Sequence, residues 1–169
     1  GLTTDQIVAM SSAQIGAFKT AQIVALTSTQ IGAIETADIA GLTTAQIAAI
    51  ETGDLAGLST DQIVALSSAQ IGALKTAQIG ALSTTQIAAI ETGDLKGLTT
   101  AQVVALSSSQ IGALSTSQVS ALTTAQIAAI ETGDLAGLTT DQIVALSSAQ
   151  IGACKTAQIV ALTSTQIGA

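Results

Sequence analysis

Residues 3–10 read T-T-D-Q-I-V-A-M, residues 11–18 S-S-A-Q-I-G-A-F and residues 19–26 K-T-A-Q-I-V-A-L, and this eight-residue rhythm decides the fold. It runs without insertion to T-S-T-Q-I-G-A at 163–169, giving twenty complete octads and one that lacks its last residue. Position two is Thr or Ser in all twenty-one octads, and position four is Gln in seventeen and Asp in four. Position five is always Ile, Val or Leu, position seven is Ala or Gly, and position eight is apolar in every complete octad. Positions one, three and six vary.

A hydroxyl followed by Gln or Asp and then an apolar run is a helix-start signal, because the side-chain oxygen accepts from the free N–H groups of the first turn. Position two never departs from Ser/Thr while position one admits Lys19 and Glu35, so the cap is placed at position two: Thr4, Ser12, Thr20, Ser28, Thr44, Thr60, Ser68, Thr76 and their equivalents. An acid or amide then falls in the first turn, where the helix dipole favours it. Ala, Gln, Ile and Leu carry the next turn. The following hydroxyl competes with further helix, so each octad is predicted to hold a helix of about five or six residues.

Arithmetic removes one continuous helix. Its apolar stripe would drift about 80° per octad at 3.6 residues per turn and leave no constant face to bury. In a strand, positions five and eight would point to opposite faces, and Ala and Gln are poor strand formers. The predicted fold is therefore all-α, a solenoid of very short helices, one per octad, over residues 1–169, with a β-solenoid as the alternative. Ile and Leu face a common axis, and the small residue at position seven lets backbones approach. Helices this short are unstable alone and must be stabilised by stacking.

Four octads depart from the pattern together: E-T-A-D-I-A-G at 35–41, E-T-G-D-L-A-G at 51–57 and 131–137, and E-T-G-D-L-K-G at 91–97. The last three recur every forty residues, as if a five-octad block were duplicated. Glu51 with Asp54, Glu91 with Asp94 and Glu131 with Asp134 are the candidate oxygen ligands for Ca²⁺, which takes six to eight. The D-x-D-x-D-G spacing of known calcium loops is missing, and the simpler reading has Asp complementing a helix N-terminus and Glu solvated. Lys19, Lys75 and Lys155 sit just after a helix end, where a cation is favoured. The Gln row either forms ladders between coils or is exposed. The Ser/Thr of positions one and three are either simply solvated or an ordered hydroxyl array.

Composition narrows function. With no histidine or tryptophan, Phe18 as the one aromatic and a net charge of −7, the chain has neither an imidazole for catalysis nor a basic patch for nucleic acid. Apolar runs such as 63–66 last four residues, far short of the roughly twenty needed to span a membrane. Cys154 replaces Leu, Ile, Met or Phe at position eight and reads as a small core residue. No cofactor and no catalytic residue is predicted.

The strings A-L-T-T-A-Q-I-A-A-I at 121–130 and L-S-S-A-Q-I-G-A-L at 66–74 resemble the tandem octapeptide tracts of very large bacterial secreted or surface proteins, grouped with haemagglutinin-like or RTX-adhesin-like sequences. The resemblance covers the whole chain and implies a stalk, spacer or adhesive segment at the cell surface or outside the cell. Gly1 and Leu2 match positions seven and eight, and Ala169 matches position seven. The expectation is thus a piece of a longer array that self-associates by end-to-end stacking. The leading functional reading is a non-catalytic structural repeat module. The alternative is a binding module that presents its Ser/Thr or Glu/Asp array to glycan, ice or Ca²⁺.

Overall fold

The computed structural model describes residues 1–168, so Ala169 lies outside the described residues. Each octad forms one short helix, from Thr4–Val8 through to Ser164–Ile167, and the described residues contain no strand. Most are α-helices of five or six residues such as Thr20–Val24 and Thr76–Ala81, while the octads at 51, 91 and 131 form 3₁₀ helices at Thr52–Gly57, Leu95–Gly97 and Leu135–Gly137. The solenoid of short helices stands, and the β-solenoid does not.

The cap lies one residue earlier than the sequence suggested. Thr3, Thr27, Thr43, Ser59, Ser67 and their equivalents at position one are the N-cap residues, with extended backbone and a hydroxyl that accepts from the position-four N–H. Position two, including Thr4, Ser12, Thr20, Ser28, Thr44, Thr60, Ser68 and Thr76, is the first helical residue. Lys19, Lys75 and Lys155 also occupy the N-cap, although an ammonium cannot accept a bond. What holds those turns is the other half of a capping box: Gln Oε1 accepts from the N-cap backbone N–H, at 2.8 Å for Lys19 with Gln22 and 2.6 Å for Lys75 with Gln78. The hydroxyl is therefore dispensable at position one, whereas the glutamine recurs.

Turns between octads need no special residue. The described chain has no positive φ, even at glycine. Position eight, as at Leu74 (φ −59°, ψ 142°), and position one, as at Lys75 (φ −73°, ψ 156°), form a two-residue extended corner that any L-residue adopts.

Corners of this kind wind the helices into a coil around one apolar core. From Ile7 to Leu138, position five is at most 3% exposed, and position eight from Leu26 onward is at most 8% exposed. Fully burying each such side chain is worth about 1.5–3 kcal/mol, which offsets the cost of helices too short to stand alone. Each helix packs on the one three octads back, as Thr20–Val24 does against Thr44–Ala49 and Thr76–Ala81 against Thr52–Gly57.

Stacking is fastened by the same glutamines. Gln78 is fully buried, and its Nε2 donates to the carbonyls of Ile50 at 2.7 Å and Ile47 at 3.4 Å, four octads back. Gln110 does the same to Leu82 and Ile79, and Gln126 to Leu98 and Leu95. With packing on the third octad back and bonding to the fourth, one turn of the coil takes between three and four octads. Both polar ends of each buried glutamine are satisfied, and no buried side-chain nitrogen or oxygen among the described residues lacks a partner. No helix among them is long and apolar enough to cross a membrane.

Gln78→Glu keeps the capping acceptor but turns a buried donor into a carboxylate facing two carbonyls. Burial and those carbonyls raise the new carboxyl's pKa above the unfolded value of about 4.3. The stabilisation is then present below about pH 4, where the acid can donate, and lost as pH rises through the folded pKa. Urea denaturation is expected to show a loss of about 3 kcal/mol at pH 7 that largely disappears near pH 4. An equal loss at both pH values would refute the donor role.

Candidate functional site

The E-T-x-D octads interrupt the glutamine row. Aspartate lacks both the amide donor and one methylene, so it can neither donate to the carbonyls four octads back nor stand in for the glutamine. Among the described residues Asp54, Asp94 and Asp134 make no side-chain bond to a neighbouring coil, and their octads tighten to 3₁₀ turns, with the Gly97 N–H donating to the Asp94 carbonyl at 2.8 Å and the Gly137 N–H to that of Asp134 at 2.9 Å. Asp38 differs: it is buried and accepts from the Ser12 hydroxyl, three octads back.

What replaces the missing bond is a close backbone crossing. A Cβ on Gly57 would lie 2.0 Å from the Ser28 carbonyl oxygen, and on Gly97 and Gly137 it would lie 2.1 Å from those of Ser68 and Ser108. From the other side, a Cβ on Gly32, Gly72 or Gly112 would lie 2.6 Å from the carbonyl oxygen of Gly57, Gly97 or Gly137. Position six of the octad three back and position seven of the E-T-G-D octad are thus both glycine because two backbones touch there. Gly53, Gly93 and Gly133, by contrast, face open space.

Beside each crossing the surface opens into a cleft, and the three clefts are equivalent. One of about 480 Å³ is lined by Val24, Ile50, Glu51, Thr52, Gly53 and Lys75. Another of about 710 Å³ is lined by Val64, Ile90, Glu91, Thr92, Gly93 and Ser115 among others. The third, about 440 Å³, is lined by Val104, Ile130, Glu131, Thr132, Gly133 and Lys155 among others. Each combines an apolar wall, one exposed carboxylate and a hydroxyl, and two add a lysine.

Of the candidate calcium ligands, Glu51, Glu91 and Glu131 are exposed at the cleft, whereas Asp54, Asp94 and Asp134 are half-buried and line none of the three clefts. Among the described residues no group of three or more acids, cysteines or histidines gathers at metal-binding distance. The position-one hydroxyls are committed to capping, which removes one row from the proposed hydroxyl array. Of the two readings of the glutamine row, the ladder between coils holds, with backbone carbonyls as the rungs.

Cys154 is half-buried against the core, its Sγ near the Gln150 carbonyl, and burial pushes its thiol above the usual value. That is the setting of a packing residue rather than a nucleophile. The cleft valines and the lysines across from Glu51 and Glu131 were not picked out from sequence as site residues. The usable signal was position six: Val8, Val24, Val64 and Val104 each precede an E-T-x-D octad by four octads.

Gly57→Ala is expected to cost about 1–3 kcal/mol or more, because the added methyl meets backbone and not a movable side chain. Gly53→Ala, four residues away, should leave stability within about 1 kcal/mol and on the favourable side. Thermal melts of the two variants check the contrast, and equal effects would count against the crossing.

The repeats themselves are a known type. The ALTTAQ repeat family matches residues 1–33, 47–84, 87–124 and 127–164, and the chain belongs to that family. No curated protein and no solved structure matches it.

Proposed function

We propose, from a chain built of ALTTAQ repeats, that this protein is a non-catalytic structural module: a spacer or stalk segment of a larger bacterial surface or secreted protein. One observation carries this reading. From Gln46 onward, each glutamine octad is fastened to the octads three and four back by backbone carbonyls, its glutamine amide and apolar side chains, and the pattern repeats from coil to coil. Length can therefore grow by adding coils, with no new interface to invent. The glutamine amides and most position-one hydroxyls are consumed in holding the coil. The same complementarity makes an isolated segment self-associate end to end, since Gln6, Gln14 and Gln22 bring free amide donors to one end and the last coil brings exposed Ile159 and Ile167 to the other. Nucleic acid is not a partner, given a net charge of −7.

Small-angle scattering in dilute solution tests this. A compact globule of this length has a radius of gyration near 15 Å and a disordered chain one near 43 Å. A short rod modestly above the globular value, lengthening as concentration rises, is the expected result. A value near the disordered one would sink the spacer.

The recurrence of one cleft three times favours a second reading, in which the E-T-G-D octads form a binding array for Ca²⁺ or glycan. Under the spacer reading, the melting temperature does not respond to millimolar CaCl₂. Replacing Asp54, Asp94 and Asp134 together by Asn then changes stability by less than about 1 kcal/mol, as for surface positions without a specific partner. A Ca²⁺-dependent stabilisation abolished in the triple variant would transfer the assignment to the array.

A further inference from the structure

Residues 139–168 repeat residues 3–32 with two differences, Leu146 for Met10 and Cys154 for Phe18. In the first copy these octads are covered. The backbone carbonyl of Gly41 comes within 3.1 Å of where a Gly16 Cβ would be, and that of Gly57 within 2.6 Å of a Gly32 Cβ. Ile15, Ile23 and Ile31 are buried to 1% exposure or less. In the second copy nothing lies within 4 Å of a Gly152 Cβ, and Ile151, Ile159 and Ile167 are 38%, 38% and 66% exposed.

The chain also states which octads can cover such a surface. Position six of an octad lying four back from a glutamine octad is Gly, Ala, Ser or Lys: Gly16 beneath Gln46, Ala48 beneath Gln78, Ser120 beneath Gln150, Lys96 beneath Gln126. It is never valine. Val8, Val24, Val64 and Val104 lie four octads before Asp38, Asp54, Asp94 and Asp134, and the last three of these valines form the wall facing the E-T-G stretch of that octad. One octad after each of these valines comes Gly16, Gly32, Gly72 or Gly112, the glycine that lets the E-T-x-D backbone cross. Valine and glycine at successive position sixes thus form a two-part mark for an E-T-x-D octad above. Residues 139–168 carry that mark twice, as Val144 with Gly152 and Val160 with Gly168.

We infer that the coil of residues 139–168 is a docking surface for one kind of partner: a repeat segment running E-T-x-D octad, glutamine octad, E-T-x-D octad, the order of residues 35–58. A segment of glutamine octads fits it poorly, because an alanine at position seven sets a methyl against the backbone where the mark requires glycine. The amide also meets valine where it otherwise meets a small or unbranched residue. Recognition is by backbone approach and apolar cover, and it needs no charge pair. This inference rests on the reading of the chain as a stacking array, and adds that the array chooses what it stacks with.

The full chain extended after Ala169 by a copy of residues 34–58 is compared with the full chain extended by a copy of residues 106–130, three glutamine octads of equal length. Hydrogen exchange is followed at the amides of residues 143–167. The 34–58 copy is expected to slow their exchange at least tenfold relative to the unextended chain, and the 106–130 copy to give well under that. Equal protection by both would overturn the inference, since any octad would then serve. So would no protection by either while residues 47–130 stay protected, because the array would be folded and the surface unselective. Loss of protection throughout 47–130 in the unextended chain would instead defeat the stacking reading itself.

Discussion

The fold depends on the two ends of one glutamine side chain. Oε1 of Gln78 closes the first turn of its own helix at the Lys75 N–H, and Nε2 closes the last turn of a helix four octads earlier at the Ile50 carbonyl. A helix of six residues has more unsatisfied backbone groups at its ends than satisfied ones within. A buried amide that serves two helix ends at once is therefore worth more here than in a long helix. Each of its bonds contributes only about 1 kcal/mol net, but leaving either group unpaired in the core would cost about 1–3 kcal/mol. That asymmetry makes glutamine hard to replace by any residue with only one polar function.

Much of this could be seen in the octad itself. The length of the helices, the inward positions five and eight and the absence of a strand all follow from a period of eight with two apolar residues three apart. The cap was displaced by one residue because the invariant position-two hydroxyl looked like the constrained one. The true N-cap tolerates Lys19 since the glutamine, and not the capping side chain, secures the turn. Coil size was hidden for a different reason: the partners of Gln78 lie 28 and 31 residues away, and a local pattern carries no trace of them. The four-octad offset between Val24 and Asp54, repeated from Val64 to Asp94 and Val104 to Asp134, did record that distance. It is legible only after one knows to compare octads four apart.

Aspartate at position four is better understood as the mark of a second kind of contact than as a lost bond. In the octads of Asp54, Asp94 and Asp134 the helix contracts to a 3₁₀ turn, and Gly57, Gly97 or Gly137 brings its backbone against Ser28, Ser68 or Ser108. The glutamine octad holds its neighbour by hydrogen bonds at the helix end. The aspartate octad holds it by dispersion and close approach along the backbone, and leaves an open cleft beside the crossing. The exposed Glu51, Glu91 and Glu131 carboxylates lie in these clefts, away from the glutamines that cap and staple.

Near-identical repeats face a difficulty that a varied sequence does not. If every octad could stack on every other, the coil could slip by one unit at little cost, as strands with weak register do. The glutamine staples alone do not prevent this, since the carbonyls they seek recur every eight residues. The glycine crossings do, because an alanine octad cannot enter a site shaped for backbone contact and a valine wall is matched only to an aspartate octad. Four such crossings along the chain are enough to fix each coil on the one below it. The departures from the repeat are thus what make the repeat fold one way: uniform octads supply the stabilisation, and the exceptional ones decide the register.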